Sequence, residues 1–228
     1  MTEDLSRPGR RAVGEWALEQ LYGDIFSGRL QAGAEVGEVE LAERLQVSRS
    51  PIRDALRQLE FDGLVVPGAR NGLRVVKSFG PHDIAELYDV RASLEALAFA
   101  RAADLRTDED LELLASIQQE SEAVEQAVGT GRRGFDADIA FHREVCRIAA
   151  MPRLARTLDG ILRETRALLR QLDTVGAYPG TPAEVKAAHQ DHRDLMAAIH
   201  ARDPDRARQL LIQHLEDRRD ALLASVRE

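Results

Sequence analysis

VELAERLQVSRSPIRDALRQLEFDG, residues 39–63, is the stretch whose periodicity decides the fold of the N-terminal third. Val39–Leu45 reads as a short helix that buries Leu41, Ala42 and Leu45. A turn at Gln46–Ser48 follows, and a second helix is expected to start near Ser50, with Ser50 as its N-cap and Pro51 at the first helical position, where the missing N–H costs little. Ile52, Ala55, Leu56 and Leu59 fall at i, i+3, i+4 and i+7, a continuous apolar stripe, and Gly63 stops the helix. Arg49, Arg53 and Arg57 are spaced by four and lie off the stripe. Cations at a helix N-terminus oppose the helix dipole at a cost of roughly a few tenths of a kcal/mol. A phosphate backbone or a guanine edge would offset that cost.

Working outward, Leu64–Pro67 and Leu73–Lys77 read as two short strands around a turn at 68–72. Upstream, Trp16, Ala17, Leu21 and Ile25 recur at helical spacing between Val13 and Phe26, and Gly28 can end that helix. Leu30–Gly37 is too short and Gly-rich to be helical. Helix, turn, helix, strand, turn, strand is the order of a winged helix-turn-helix. Residues 1–10 are polar and expected to form a flexible tail. The winged domain is then 11–77, with a linker at 78–81.

From residue 82 to 228 the pattern changes to six helical segments, about 82–105, 108–128, 134–150, 153–173, 183–201 and 204–226, separated by Gly, Pro or capping residues. The expected fold class is mainly α, a winged helix-turn-helix domain followed by an all-α antiparallel bundle. Composition agrees. Of 228 residues, 44% are hydrophobic and 31% charged, a globular balance, and the 4% aromatic content disfavours a sandwich or propeller. The longest run without a charge, Thr174–Ala183, is ten residues, too short to span a membrane. The opening MTEDLSRPGR has no apolar segment of a signal peptide. One cysteine, Cys146, allows no internal disulfide and fits a reducing compartment, so a cytoplasmic location is expected. The net charge of −8 is uneven. Residues 78–228 carry 20 Lys and Arg against 27 Asp and Glu, whereas residues 44–57 hold four arginines against Asp54 alone, a local basic face on an acidic body.

Polar residues interrupt the apolar stripes of the bundle. Asp138, His142, Val145 and Ala149 share one face of the third bundle helix, beside Phe141 and Ile148. Ala188, His192, Leu195 and Ile199 form a stripe on the fifth, and Ala207, Leu210, Leu211, His214 and Leu215 one on the sixth. Burying a carboxylate and three imidazoles is costly unless they are paired or coordinated. One carboxylate plus three imidazoles, with an i, i+4 pair, suits a borderline divalent metal: zinc first, with nickel, manganese or iron as further candidates. His189 and Cys146 each lie about one turn from this set and are left out of it. Arg91 falls on the stripe Ile84, Leu87, Arg91, Leu94, Ala98. Glu95 at i+4 is a simple partner for it; a carboxylate ligand is the other.

The run LAERLQVSRSPIRDALRQLEFDGLV resembles the DNA-binding domain of the GntR family of bacterial transcription regulators. The resemblance covers residues 12–77 and implies that Ser48, Arg49, Ser50 and Arg53 meet the operator, with Arg70 and Gly72 in the wing turn. Three positions depart from the family pattern: Ala32-Gly33 replaces Pro-Gly, Val39 stands where relatives sometimes carry arginine, and the wing reads Arg70-Asn71-Gly72. Residues 82–226 resemble the FCD effector domain of the FadR subfamily. The matching pattern is Asp138-x-x-x-His142, with His192 and His214 separated by 22 residues; six helices place the domain nearest the VanR-like branch. This resemblance implies a homodimeric, ligand-responsive regulator, a repressor, that binds a short palindromic double-stranded DNA operator. It would sense a small organic acid effector through a metal at Asp138, His142, His192 and His214, with Arg91 gripping the effector. The competing reading is a metal-dependent hydrolase with an accessory DNA-binding domain, against which the sequence offers no HExxH and no evident buried carboxylate beside the histidines to act as base. A pure metal sensor is the third reading.

Overall fold

The computed structural model describes residues 10–70, 72–128, 134–178 and 181–226, side chains excepted at a few helix ends. The expected tail falls outside these residues apart from Arg10, which opens the first helix. The chain divides into two compact units that meet between Ser78 and Phe79.

The first unit contains α1 (Arg10–Phe26), β1 (Glu35–Gly37), α2 (Glu38–Arg44), α3 (Arg49–Phe61), β2 (Val65–Pro67) and β3 (Leu73–Val76). Its core is Ala17, Leu21 and Ile25 from α1 against Leu41, Ala42, Ile52, Ala55, Leu56 and Leu59. Trp16 lies outside this core, 42% exposed. The buried side chain one turn before Gly28 is Asp24, which holds Arg29 at 2.7 Å and also pairs with Arg44. α3 begins at Arg49, two residues before Pro51, the expected first helical position. Ser48 is the N-cap in extended conformation, which puts Arg49 at the first helical position and Pro51 at the third. Proline is tolerated there because the first four N–H groups of a helix have no internal partner in any case. At the other end Gly63 adopts φ +70°, Gly63 N–H donates to Glu60 O, and Leu64 N–H donates to Leu59 O. This is the Schellman arrangement, closed by the apolar pair Leu59–Leu64.

The strands form a three-stranded antiparallel sheet in the order β1-β3-β2, with Val36 opposite Arg74 and Val65 opposite Val76. β1 was not evident in the sequence: it is three residues long, and only β3 gives it a partner. The wing turn is closed by Gly68 N–H to Leu73 O at 3.0 Å, and Gly72 has φ +79°, a conformation strained for any side-chain-bearing residue.

The second unit has six helices among the described residues: α4 (Pro81–Leu105), α5 (Asp108–Val128), α6 (Gly134–Ile148), α7 (Pro152–Thr174), α8 (Pro182–His200) and α9 (Pro204–Ser225). Four of them begin with proline at the first helical position, pre-set for φ and without an orphan N–H. Gly80 caps α4 by donating its N–H to Asp83 at 2.9 Å, so the expected linker shrinks by Pro81. Thr181 and Glu184 make a capping box on α8. α4 is the central element and packs along α9. Ala98, Phe99, Ala102, Phe141, Val145, Leu158, Leu195 and Leu211 fill the interior around it. At one end, Arg106 donates to His200 O at 2.7 Å and Arg202 to Asp104 O and Arg106 O, tying the α4–α5 turn to the α8–α9 turn.

Leu59 is 1% exposed, at the centre of the α1–α3 packing. Leu59→Ala is expected to destabilise the first unit by about 2–5 kcal/mol in a denaturant titration. A loss under 1 kcal/mol would contradict this packing.

Candidate metal centre and nucleic-acid interface

The four polar residues on three apolar stripes converge. One ligand atom from each of Asp138, His142, His192 and His214 lies within 4.8 Å of the others. The helical period accounts for this. Asp138 and His142 sit one turn apart on α6, while His192 and His214 occupy the stripes by which α8 and α9 pack inward. The three imidazoles are buried; the Asp138 side chain, expected to face the core, keeps a quarter of its surface open. His192 Nε2 is 3.3 Å from Asp138 Oδ1 and His142 Nε2 is 3.9 Å from it. The rings brace each other, with His192–His214 centroids 5.0 Å apart, and Phe141 stacks on His192 at 4.4 Å.

A second set of carboxylates fixes the direction of two rings. His142 Nδ1 is 2.5 Å from Glu95 Oε2, and His214 Nδ1 is 3.0 Å from Asp191 Oδ2. With the proton on Nδ1, each ring turns its Nε2 lone pair toward the centre, the usual support for a metal-binding histidine. Nε2 of His142 and of His192 is buried without a hydrogen-bond partner. Two orphaned imidazole nitrogens aimed at a carboxylate are what a divalent cation would satisfy, so the donor set fits one.

The electrostatics point the same way. Burial pushes His192 down to about 4, against the pull of Asp138, and pushes His214 below its ordinary value. Asp138, which burial alone would raise, is held well below the usual carboxylate range by His192, His142 and Arg91. At neutral pH His192 and His214 are thus held as neutral imidazoles and Asp138 as a carboxylate, the protonation states that metal binding requires of them.

Arg91 is 1% exposed. Its Nε donates to Glu95 Oε1 at 2.7 Å, while Nη2 has no partner. Glu95, itself fully buried, is drawn down to about 2 by Arg91 and His142 despite its burial. The sequence reading therefore needs correction: a buried carboxylate does stand beside the histidines. Periodicity marks Glu95 only as an i+4 partner of Arg91 and cannot show that α6 brings His142 to its other oxygen. It is not a free base, because Arg91 and His142 occupy its two oxygens. The same blindness hid Asp191. Tyr88 and Arg218, which bear on Asp138 electrostatically, and Tyr178, hydrogen-bonded to Arg218 at 3.0 Å, were missed for lack of any sequence signal. His189 stands apart with Gln118 at 2.9 Å, and Cys146 is a buried thiol whose pKa burial raises.

In the first unit, Ser48, Arg49 and Arg53 lie exposed on the first turns of α3, with Ser50 half-buried among them. Arg70 is exposed in the wing turn, beside Gly72. Arg49 and Arg70 form no ion pair among the described residues. Arg53 does: Glu38, at the start of α2, takes it bidentately. The sequence reading had no partner for Arg53.

Residues 15–75 match the model of the bacterial regulatory proteins of the gntR family, and residues 86–217 match the FCD domain. The chain belongs to the GntR family. It is 31% identical over 207 residues to the probable D-xylose utilization operon transcriptional repressor of Paenarthrobacter nicotinovorans, covering 90% of this chain and 87% of the relative. It is 27% identical to the transcriptional regulator LutR of Bacillus subtilis, covering 87% and 95%. The solved structure of E. coli McbR/YncC shares the fold, with a TM-score of 0.76 at 21% identity over 92% of this chain and 96% of that one. This GntR protein is a transcriptional regulator with a DNA-binding winged domain and an FCD effector domain. Its relatives are regulators and not enzymes, which sets the hydrolase reading aside.

Protein stripped of divalent ions should lose stability as pH falls through the window from 6.5 to about 4. The folded state holds His192 neutral down to about 4, whereas the unfolded chain takes up its proton near 6.5. The unfolded state then binds more protons, so the contribution is present above 6.5 and lost below it. Thermal melts across that window check the sign; a melting temperature that rises on acidification contradicts it.

Proposed function

We propose that this regulator is a homodimeric repressor that senses a small carboxylic or sugar acid through a divalent metal bound by Asp138, His142, His192 and His214. One observation carries the sensing half: three buried nitrogens, Nε2 of His142, Nε2 of His192 and Nη2 of Arg91, have no hydrogen-bond partner. The first two suit a cation, and the third suits an anion beside it. Zinc suits the donors first, with nickel, manganese or iron as alternatives. A bound divalent ion would supply Lewis-acid coordination to an effector carboxylate. The protein's own share is to hold His142 and His214 in one orientation through Glu95 and Asp191, to exclude bulk water from the imidazoles, and to offer Arg91 to the effector's charge. A carbohydrate-derived effector agrees with the probable repressor of a D-xylose utilization operon among the relatives.

On the DNA side, Arg49 and Arg53 at the start of α3 would read base edges in the major groove. Ser48 and Ser50 would contact the flanking backbone, and Arg70 with Gly72 would bring the wing to the minor groove. Two copies would read a short palindrome, since a two-fold protein matches a two-fold site. Effector binding alters operator affinity only through a difference in its affinity for two arrangements of the dimer. A bacterial regulator that reads DNA would work in the cytoplasm.

Arg49→Ala and Arg53→Ala should each weaken operator binding by about 1–3 kcal/mol in fluorescence anisotropy with no loss of thermal stability, because neither side chain is in the core. Operator affinity unchanged in both would sink the assignment of the interface.

His192→Ala should lower metal content in elemental analysis and abolish the effector response together, while operator binding persists. Treating the wild type with a chelator should reproduce the effect, and His189→Ala, outside the cluster, should keep its metal. If purified wild type carries no metal and added divalent ions leave melting and effector binding unchanged, the cluster is a hydrogen-bonded core network. If metal alone shifts operator affinity, the protein is a metal sensor.

A further inference from the structure

Arg53 stands on the recognition helix already engaged. Its Nε donates to both carboxylate oxygens of Glu38 at 3.0 Å, and its Nη2 donates to Oε2 at 2.8 Å. Arg53 is the outer partner, with half its side chain exposed, and Glu38 the inner one at 17%. The Glu38 backbone N–H also points to Gly72 O at 3.4 Å, and a Cβ placed on Gly72 would come 4.0 Å from the Glu38 carboxyl carbon. One carboxylate therefore borders both the reading helix and the base of the wing.

The pair leaves a specific part of Arg53 free. A guanidinium has two bidentate faces, the side edge Nε–Nη2 and the end edge Nη1–Nη2. Glu38 takes the side edge. The end edge, with Nη1 and the second hydrogen of Nη2, remains, and such a fork matches O6 and N7 of guanine. An exposed ion pair of this kind contributes little to stability, and a carboxylate on a face that approaches phosphates repels them. Stability alone is a weak account of Glu38.

We propose that Glu38 is a positioning residue for operator recognition, which holds the side edge of Arg53 so that its end edge is presented to one guanine. This rests on the assignment of Arg53 to the operator made above. Glu38 gives sequence discrimination and costs non-specific affinity. The rival account is that Glu38 only favours the N-terminus of α2, whose dipole a first-turn carboxylate suits.

The test uses the full-length protein and two probes: the duplex that the wild type selects from a random-sequence library, and a scrambled duplex of the same composition. Glu38→Ala should bind the selected duplex about tenfold more weakly, within the range for one bidentate base contact, and the scrambled duplex as tightly or more tightly. Glu38→Gln, which keeps one acceptor for Arg53, should fall between. In an Arg53→Ala background, adding Glu38→Ala should cause no further loss on the selected duplex and should shift both duplexes alike, because the positioning effect acts only through Arg53 while phosphate repulsion does not depend on sequence. Equal tightening on both duplexes would overturn the proposal and leave Glu38 as a source of repulsion. An equal loss with and without Arg53 would overturn it in favour of the α2 account. If Arg53→Ala itself binds the selected duplex like the wild type, the parent assignment fails; if Arg53→Ala is defective and Glu38→Ala is not, only the positioning role fails.

Discussion

The second unit is organised around one buried carboxylate. Glu95 is fully enclosed, yet stays ionised because Arg91 on its own helix and His142 on α6 reach its two oxygens. A buried ion pair of this kind adds little net stability, since desolvation offsets attraction; removing one partner is what costs, at about 3–5 kcal/mol. Its value is therefore in what it fixes. Glu95 orients His142 so that Nε2 faces Asp138, and it anchors Arg91 by Nε while leaving Nη2 open. The cation site and the anion site of the proposed pocket are two ends of one hydrogen-bonded chain. A ligand that draws on Arg91 acts on the same carboxylate that aims a metal-binding imidazole.

The same economy appears in the first unit at a different exposure. Glu38 and Arg53 repeat the Glu–Arg motif on the surface, where water screens the charges and the pair costs little to open. The difference in burial separates the roles. The interior pair is a fixed support, while the surface pair keeps half of its arginine available. In both places a carboxylate engages only part of a guanidinium: Glu38 takes Nε and Nη2 of Arg53 and leaves its end edge, while Glu95 takes Nε of Arg91 and leaves Nη2 without a hydrogen-bond partner.

Most of the fold was legible because it rests on short-range signals. The stripe Ile52, Ala55, Leu56, Leu59, the stop at Gly63 and the prolines that open four of the bundle helices each mark an element without reference to the rest of the chain. What could not be read depends on pairing between distant segments. β1 is a strand only because β3 lies beside it, and Trp16 is exposed because α3 packs one position away, against Ala17 and Leu21. The four metal candidates were legible because a polar residue on an apolar stripe is anomalous in its own helix. Glu95 was not, because an i, i+4 Arg–Glu pair looks ordinary until α6 is packed against it.

That contrast bears on how a regulator of this build varies its ligand. The inward-facing donors are locked by the stripes of three helices, and changing any of them disturbs the core. Tyr88 on α4 and Arg218 on α9 bear on Asp138 electrostatically, and Tyr178, after α7, is bonded to Arg218; Tyr88 is itself buried in the core. Asp138 is the partly open member of the set, so the proposed effector would approach from its side. Selectivity among acids of similar charge would then fall to these groups, whose hydroxyls and guanidinium can hydrogen-bond an acid's hydroxyls. A site built to bond a hydroxyl rejects the analogue lacking it far more strongly than an apolar pocket rejects a methylene, because its own buried polar groups are left unpaired. The proposed site would thus divide its work between charge recognition, assigned to Arg91 and the metal candidates, and hydroxyl recognition by Tyr88, Tyr178 and Arg218.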